Sequence, residues 1–185
     1  MSGPVFLHGD GVTLCPADQS DLAFLRENEN DPRLRATRNV RKPTSADHLT
    51  ARLGGQMGRD EETVGLVVRD DDDEPVGFVY LVREETNAVG CRYAELAYWV
   101  AYDHWNNGYA TAAAETMLDY GFDELGLHRV KACTFEDNAA SRRVLEKLGF
   151  EQEGVAREEA YVDGEWCDRV RYGILEDEWR ARRDD

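Results

Sequence analysis

The segment 98–122, YWVAYDHWNNGYATAAAETMLDYGF, holds the residues whose spacing first indicates a binding site. A strand that ends at Val100 is followed by a polar loop, and a helix begins directly after Gly108. The first N–H groups of a helix have no partner within the helix and carry partial positive charge, so they form a seat for an anion. Gly108, Ala110 and Thr111 are small enough to let the oxygens of a pyrophosphate approach the main chain.

Two phosphate-binding motifs are missing from this loop, and their absence limits the classes of anion that it is expected to bind. A Walker loop needs GxxxxGK[ST] and a dinucleotide-binding loop needs GxGxxG, and neither pattern occurs in the sequence. We therefore expect neither a nucleoside triphosphate nor a dinucleotide as the ligand. Packing of small residues against a sheet remains the alternative explanation of Gly108 and of the alanines that follow it.

A second segment makes the pattern specific. The stretch NGYATAAAETMLDYGFDELGLHRVKACTFEDNAASRRVLEKLGF, with its NxxSxxxLxxLGF helix, closely resembles the core of the GCN5-related N-acetyltransferases (GNAT). The resemblance is strongest to the branch that includes the ribosomal-protein N-terminal acetyltransferases, and it covers residues 12–175 in the family's order of elements. It implies that acetyl-CoA is the co-substrate, bound where two neighbouring parallel strands separate.

The resemblance also implies which residues contact acetyl-CoA. Three strand residues would face the pantetheine and the thioester with their main chain: Tyr98, Trp99 and Val100. Six loop residues would wrap the pyrophosphate: Asn106, Asn107, Gly108, Tyr109, Ala110 and Thr111. Asn138 would hold the pantetheine arm. Arg142 and Arg143 are candidates for the 3′-phosphate, and an ion pair between Arg142 and Glu146 is the alternative.

Acetyl transfer to an amine needs a stabilised oxyanion and a proton for the departing thiolate. For the oxyanion the family implies a backbone N–H on the separated strand, here that of Val100. Ser141, three residues after Asn138, is implied as the proton donor beside the cofactor. Many members carry a tyrosine seven residues after the asparagine, but that position is Leu145, so a tyrosine donor would have to be Tyr172. Helix packing or a hydrogen bond to its own backbone is the alternative for Ser141.

The amine must also lose a proton, and two glutamates are candidates for the base. Glu95 lies on the strand that leads to the site, where it alternates with Ala97 and Trp99, and it could relay a proton through water. A structural hydrogen bond within the sheet is the alternative. Glu158 is the second candidate, and His104 is expected to be a solvated loop residue.

The elements that must position these residues alternate between strand and helix over one domain, residues 1–185. The patterns predict strands within 11–18, 63–70, 76–84, 92–100, 128–135, 150–162 and 168–175. They predict helices within 20–30, 44–57, 109–122, 138–150 and 176–183. Four segments are predicted to be connections or turns: 30–43, 70–74, 87–90 and 163–166.

This order predicts an α/β fold: one GNAT-like domain whose mixed, mostly antiparallel sheet contains a splayed parallel strand pair and carries flanking helices. The region 30–57 is the one we expect to shape the entrance for the acceptor, because loops carry binding residues more often than regular elements do.

The charge of the chain limits its partners. There are 22 basic and 38 acidic residues, a net charge of −16, which argues against nucleic acid. An acidic surface with only three lysines suits a salt-rich cytoplasm, and this favours a halophilic source, with an ordinary acidic mesophilic protein as the alternative. No apolar run approaches the roughly 18 residues of a membrane span, so we expect a cytoplasmic protein with no membrane partner.

The cysteines and histidines give no sign of a metal. Cys15, Cys91, Cys133 and Cys167 stand far apart without a CxxC pair, so we expect reduced cysteines, mostly in the core. The leading hypothesis is an N-acetyltransferase that acts on a primary amine, either a protein N-terminus or a small molecule. The alternative is a non-catalytic module that binds acyl-CoA as a sensor or scaffold. The sequence is compatible with a homodimer.

Overall fold

Hydrophobic strands that alternate with amphipathic helices build one mixed sheet with helices on both faces. The computed structural model describes residues 3–54, 63–83 and 92–183. Its strands are β1 (Leu7–Gly9), β2 (Val12–Pro16), β3 (Val64–Arg69), β4 (Pro75–Val82), β5 (Tyr93–Val100), β6 (Arg129–Phe135), β7 (Glu151–Val162) and β8 (Glu165–Leu175). Its helices are α1 (Leu22–Asn30), α2 (Pro32–Arg38), α3 (Ala46–Gly54), α4 (Tyr109–Asp123), α5 (Ala139–Lys147) and α6 (Glu176–Arg183).

The sheet has the order β1-β2-β3-β4-β5-β6-β8-β7, and β5 and β6 are its parallel pair within the described residues. Their register pairs Tyr93 with Arg129 and ends with Glu95 opposite Lys131. Beyond that point β5 continues on β4 and β6 continues on β8, so the two strands separate. This confirms the predicted α/β fold with a splayed parallel pair in a mostly antiparallel sheet.

Each face of the sheet buries its own hydrophobic cluster. Helices α4, α5 and α6 cover one face, where Leu96, Met117 and Leu145 are buried. On the other face, α1 to α3 bury Leu25, Leu34, Leu49, Val67, Phe78 and Trp99. Because successive strand residues point to opposite faces, β5 contributes to both clusters.

Helices α3 and α5 begin close to their predicted starts, and their caps explain why. The Asn138 side chain accepts a hydrogen bond from the backbone N–H of Ser141 at the start of α5. Ser45 accepts one from His48 N at 3.1 Å at the start of α3. The chain leaves α5 at Gly149, whose φ of 86° is available to glycine at little cost.

Four features of the elements differ from the expectations or lie outside the described residues. The stretch predicted as the connection 30–43 contains α2, because Asp31 accepts from Arg33 N and Pro32 occupies the first turn. The strand β1 was not expected from the sequence. The predicted turn 163–166 is shorter, since β8 already begins at Glu165. The predicted turn 87–90 falls outside the described residues.

We expect Gly77→Ala to destabilise the fold, because Gly77 lies where β4 approaches β5 most closely. A Cβ there would collide with the carbonyl oxygen of Trp99 and stand 3.2 Å from the Cα of Val100. The free energy of unfolding, measured by denaturant titration, should fall by about 1–3 kcal/mol. Gly154→Ala is the control, since a Cβ there meets nothing within 4 Å. Equal stability of the two variants would contradict this prediction.

Candidate active site

A cleft of about 1240 Å³ opens where β5 and β6 separate. One part of it is formed by β5, the loop after β5, and the first turns of α4 and α5. The other part is formed by α1, α2 and α3 together with β4. The cleft passes through the sheet, so it joins the side of α4 and α5 to the side of α1 to α3.

The backbone of β5 directs an N–H group into this gap. Ala101 N donates to Val76 O at 2.8 Å, and Val100 lies opposite Gly77. In an antiparallel pair the backbone groups of successive residues point to alternate sides, so the N–H of Val100 points away from β4 and toward the gap. The position that the sequence indicates for oxyanion stabilisation therefore faces the cleft.

Trp105 holds the end of β5 in place. Its indole Nε1 donates to the carbonyl oxygen of Val100 at 2.8 Å, and its ring lies 4.8 Å from that of Tyr102. At Val100 the strands β5 and β6 have already separated, so its carbonyl oxygen has no strand partner on the side of β6. The bond from Trp105 satisfies this oxygen. An anchored Val100 peptide keeps the direction of its own N–H.

The predicted anion seat lies in the loop after β5 and the first turn of α4. Gly108 precedes α4 with φ of 85°, and a Cβ there would meet nothing within 4 Å. Its carbonyl oxygen accepts from the N–H groups of Thr111 and Ala112. The N–H groups of Tyr109 and Ala110 therefore stand at the open end of the helix, where an anion is favoured.

Ser141 meets a phenol that the sequence reasoning missed. Tyr98 Oη lies 3.1 Å from Ser141 Oγ and 3.3 Å from Ser141 O, and either oxygen can accept its proton. Burial raises the pKa of Tyr98 to about 12, although its hydrogen bond with Ser141 lowers it. Only the main chain of Tyr98 was expected to matter. The alternation Leu96–Tyr98 along β5, which points both side chains toward α5, is the signal that could have revealed it.

The structure separates the two arginines of α5. Arg143 lines the cleft, whereas Arg142 Nε donates to Tyr172 Oη at 3.2 Å. The same phenol donates to Glu146 at 3.3 Å, so Tyr172 bridges the predicted pair of Arg142 and Glu146. Tyr172 is buried in the cluster under α4 to α6 and does not line the cleft, which makes it a poor candidate for the proton donor.

The two candidate bases have different positions. Glu95 lines the cleft, and its Oε2 is 3.8 Å from Lys131 Nζ. Glu158 lies in the irregular part of β7, where its N–H donates to Asp168 at 2.7 Å, and it does not line the cleft. His104 is half-buried at the cleft and not fully solvated as expected. Glu95 is thus the candidate that the fold brings to the site.

The predicted contact residues converge on this cleft with one exception. Those that line it are Glu95, Tyr98, Trp99, Val100, Asn106, Asn107, Gly108, Tyr109, Ala110, Thr111, Asn138 and Ser141. The exception is Arg142. Their roles toward a ligand stay predictions.

The predicted acceptor entrance is a pocket formed around α2. Glu29 is buried and pairs with Arg38 at 3.3 Å, and the Arg38 guanidinium lies 5.3 Å above the ring of Trp99. Arg38 Nη1 and Trp99 Nε1 are enclosed and have no hydrogen-bond partner among the described residues. Arg69 Nε, which does not line the cleft, is likewise enclosed without a hydrogen-bond partner in the described part of the chain. A buried donor without a partner costs about 1–3 kcal/mol, so such groups are uncommon in folded proteins.

The comparison with protein families decides the relationship. A family described as an acetyltransferase (GNAT) domain matches residues 12–151. The chain belongs to the GNAT acetyltransferase family. This confirms the resemblance inferred from the loop before α4 and the NxxSxxxLxxLGF helix.

The names of proteins related to this GNAT chain mention different acceptors. YdaF of Bacillus subtilis (strain 168), whose name contains the words ribosomal N-acetyltransferase, is 41% identical over 92 residues, 50% of each protein. The match thus spans about half the length of that relative. Spermidine N(1)-acetyltransferase of Escherichia coli (strain K12) is 28% identical over 92% of this chain and 89% of its own.

Solved structures of GNAT proteins resemble the whole fold. Spermidine N-acetyltransferase from Vibrio cholerae, in complex with CoA and spermine, has a TM-score of 0.82 at 27% identity and covers 92% of this chain and 98% of its own. RimJ from Mycobacterium smegmatis, in complex with CoA-disulfide, has a TM-score of 0.77 at 26% identity over 93% of this chain and 86% of its own.

Residues 3–54, 63–83 and 92–183 contain no group of three or more His, Cys, Asp or Glu side chains that could hold a metal ion. Nor does any helix there have the length and apolar character to cross a membrane. Cys15 is buried, Cys133 and Cys167 are half-buried, and all three are unpaired. Cys91 lies outside the described residues.

Gly108→Glu tests the anion seat. CoA should raise the melting temperature of the unchanged protein because a ligand that binds only the folded state stabilises it, whereas NAD and ATP should not. Gly108→Glu should abolish this shift by placing a side chain and a negative charge in the seat. Gly164→Glu is the matched control, because Gly164 also has positive φ and open space but lies in the β7–β8 turn. A shift that survives in Gly108→Glu would place the pyrophosphate elsewhere.

Proposed function

We propose that the protein is an N-acetyltransferase that moves an acetyl group from acetyl-CoA to a primary amine, either a protein N-terminus or a small molecule. One observation carries the proposal: the open end of α4, the Val100 N–H and the Ser141 hydroxyl converge on a single cleft between separated strands. The relatives named as N-acetyltransferases, and the CoA complexes among the solved structures, support it.

The residues at the cleft suit the parts of acetyl-CoA in order. The N–H groups of Tyr109 and Ala110, with the open space above Gly108, suit the pyrophosphate. Where β5 has separated from β6, its free backbone N–H and C=O groups can bond to the pantetheine arm. The arm then takes the place of a neighbouring strand. Arg143 and Lys147 line the same end of the cleft, and we assign the 3′-phosphate to them in preference to Arg142.

Two groups would act on the reacting atoms. The Val100 N–H donates to the oxygen of the tetrahedral adduct, and one preorganised donor of this type is worth about 3 kcal/mol of the barrier. Ser141 gives its hydroxyl proton to the departing thiolate. Both act best when they are fixed before the reaction, and Trp105 and Asn138 supply that rigidity through the hydrogen bonds described above.

Glu95 is the group we assign to the amine. It lies on the α1–α3 side of β5, together with Ala97 and Trp99, and so faces the acceptor pocket. From there its carboxylate accepts the proton of the incoming ammonium group through water, which leaves a neutral amine to attack the thioester.

The acceptor pocket favours a peptide N-terminus over a polyamine. Among the described residues that line the cleft, the carboxylates are Glu29 and Glu95, and each is paired with a basic side chain. A polyamine would need several carboxylates. A peptide N-terminus brings one amine next to a carbonyl oxygen, which can accept a hydrogen bond from donors such as those of Arg38.

Ser141→Ala and Glu95→Gln test the chemistry. Each should lower kcat by about 100-fold, since general acid–base catalysis contributes on the order of 10²–10⁴. The dissociation constant of CoA should change little, because neither side chain is assigned to the anion seat. Release of free thiol from acetyl-CoA measures the rate, and calorimetry measures binding. Full activity of both variants across pH would contradict the assignments.

The alternative function is a module that binds acyl-CoA as a sensor or scaffold without turnover. The same thiol assay separates the two functions when it is run with N-terminal peptides, spermidine and simple amines as acceptors. Turnover with a peptide supports the proposed enzyme, whereas CoA binding without turnover on any acceptor supports the alternative.

The net charge of −16 supports a protein of salt-rich cells with no nucleic-acid partner. We propose as well that it is cytoplasmic, has no membrane partner and can form a homodimer. The charge also concentrates near the anion seat. A second cavity beside Gly108 is lined by five carboxylates: Asp10, Asp70, Asp71, Asp72 and Glu115. In dilute buffer these groups repel each other and the anionic cofactor, because the Debye length is about 30 Å at 0.01 M salt.

We therefore expect stability and cofactor affinity both to rise from low to multimolar KCl, with a shallow decline of affinity at the highest salt. Melting curves and CoA dissociation constants measure the two effects. Replacing Asp71 and Asp72 by Asn should weaken the salt dependence of CoA binding more than that of stability, since both side chains are exposed beside the seat. A protein that is most stable and binds most tightly in dilute buffer would refute the halophilic proposal and leave the acetyltransferase proposal intact.

A further inference from the structure

We propose that Tyr98 is a positioning residue for Ser141: its phenol directs the Ser141 hydroxyl proton toward the departing thiolate. The inference rests on the proposed acetyltransferase function and adds a side chain to it. Tyr98 and Ser141 lie on different elements, β5 and α5, on the two sides of the gap, and they meet at its edge.

The ring of Tyr98 spans the place where the sheet has opened. The side chain packs against the hydrophobic cluster under α4 and α5, and its hydroxyl reaches Ser141 Oγ at 3.1 Å and Ser141 O at 3.3 Å. Asn138 fixes the Ser141 backbone from the other side by accepting its N–H at 3.1 Å. Both Tyr98 and Ser141 line the cleft.

The number of protons at this contact limits where the Ser141 proton can point. A phenol has one proton, and it can go either to the carbonyl oxygen or to the hydroxyl oxygen of Ser141. When it goes to the carbonyl, the 3.1 Å contact between the two hydroxyls is a hydrogen bond only if Ser141 donates to Tyr98, and the Ser141 proton then points away from the ligand. When it goes to Ser141 Oγ, the Ser141 proton is free to point into the cleft. Only the second arrangement presents a proton to sulfur.

The second arrangement also assists the transfer itself. As Ser141 gives its proton to the thiolate, negative charge develops on Oγ, and the hydrogen bond from Tyr98 stabilises it. The sulfur gains the proton that Ser141 loses, and Oγ regains one from water in the open cleft. The amine nitrogen returns a proton to that water as the amide forms. Before the transfer Tyr98 holds its own proton, because burial raises its pKa to about 12.

A kinetic cycle of Tyr98→Phe, Ser141→Ala and the double variant tests the role. Tyr98→Phe should lower kcat about 10-fold, with the KM for acetyl-CoA and the dissociation constant of CoA nearly unchanged. In the Ser141→Ala background it should have no further effect, because Tyr98 acts through Ser141. Tyr120→Phe is the control, since it removes a phenol hydroxyl from α4 outside the cleft and should leave kcat unchanged.

A spectroscopic measurement shows whether the contact exists in solution, independently of activity. The 13Cζ chemical shift of Tyr98 at neutral pH should move in Ser141→Ala and stay in Ser45→Ala, because Ser45 caps α3. An unchanged chemical shift in Ser141→Ala would overturn the proposal. It would also be overturned if the decrease in kcat of the double variant equalled the product of the decreases in the two single variants. If the unchanged protein binds CoA but releases no thiol with any acceptor, the proposed function fails and the role of Tyr98 fails with it. Turnover with multiplying losses overturns the role of Tyr98 alone.

Discussion

The separation of β5 from β6 beyond Glu95 and Lys131 is the constraint on which the rest of the structure depends. A strand edge that loses its neighbour inside a sheet leaves N–H and C=O groups that must find other partners. Here the indole of Trp105 takes the carbonyl of Val100, and the N–H of the same residue faces the cleft. The opening therefore creates the binding groove and its best-placed hydrogen-bond donor at once.

Because the outer partners β4 and β8 continue along β5 and β6, the opening does not divide the sheet. Gly77 allows β4 to approach β5 closely at the level of Trp99 and Val100, which keeps β5 in place without help from β6. The first turns of two helices then point at the gap: α4 follows Gly108 and has no side-chain cap, and α5 is capped by Asn138. The pairing of β4 with β5 and of β8 with β6 thus stabilises the two strand edges that face the gap.

The sequence predicted most of the fold and many of the residues that line the cleft, because those depend on local signals. A glycine before a helix, an asparagine cap and alternation in β5 are each readable from neighbouring residues. The many arginines of 30–43 predict a connection and not a helix. Asp31 and Pro32 are nevertheless typical of a helix start, and α2 begins there. The contact between Tyr98 and Ser141 joins residues 43 positions apart, and the alternation in β5 indicates only the face on which Tyr98 lies, not the residue that it meets. Likewise, only the fold could show that Tyr172 holds Arg142 away from the cleft.

The two hydrophobic clusters on opposite faces of the sheet also bear on how such a protein can diversify. The cofactor half rests on the cluster under α4 to α6, whereas the acceptor half rests on a smaller cluster with its own helices. Trp99, stacked 5.7 Å from Phe24, belongs to the second cluster, although its neighbours Tyr98 and Val100 serve the first half. Substitutions in α1 to α3 can thus reshape the acceptor pocket without disturbing the packing that supports the cofactor loop. During evolution the acceptor amine could therefore change while acetyl-CoA remained the acyl donor.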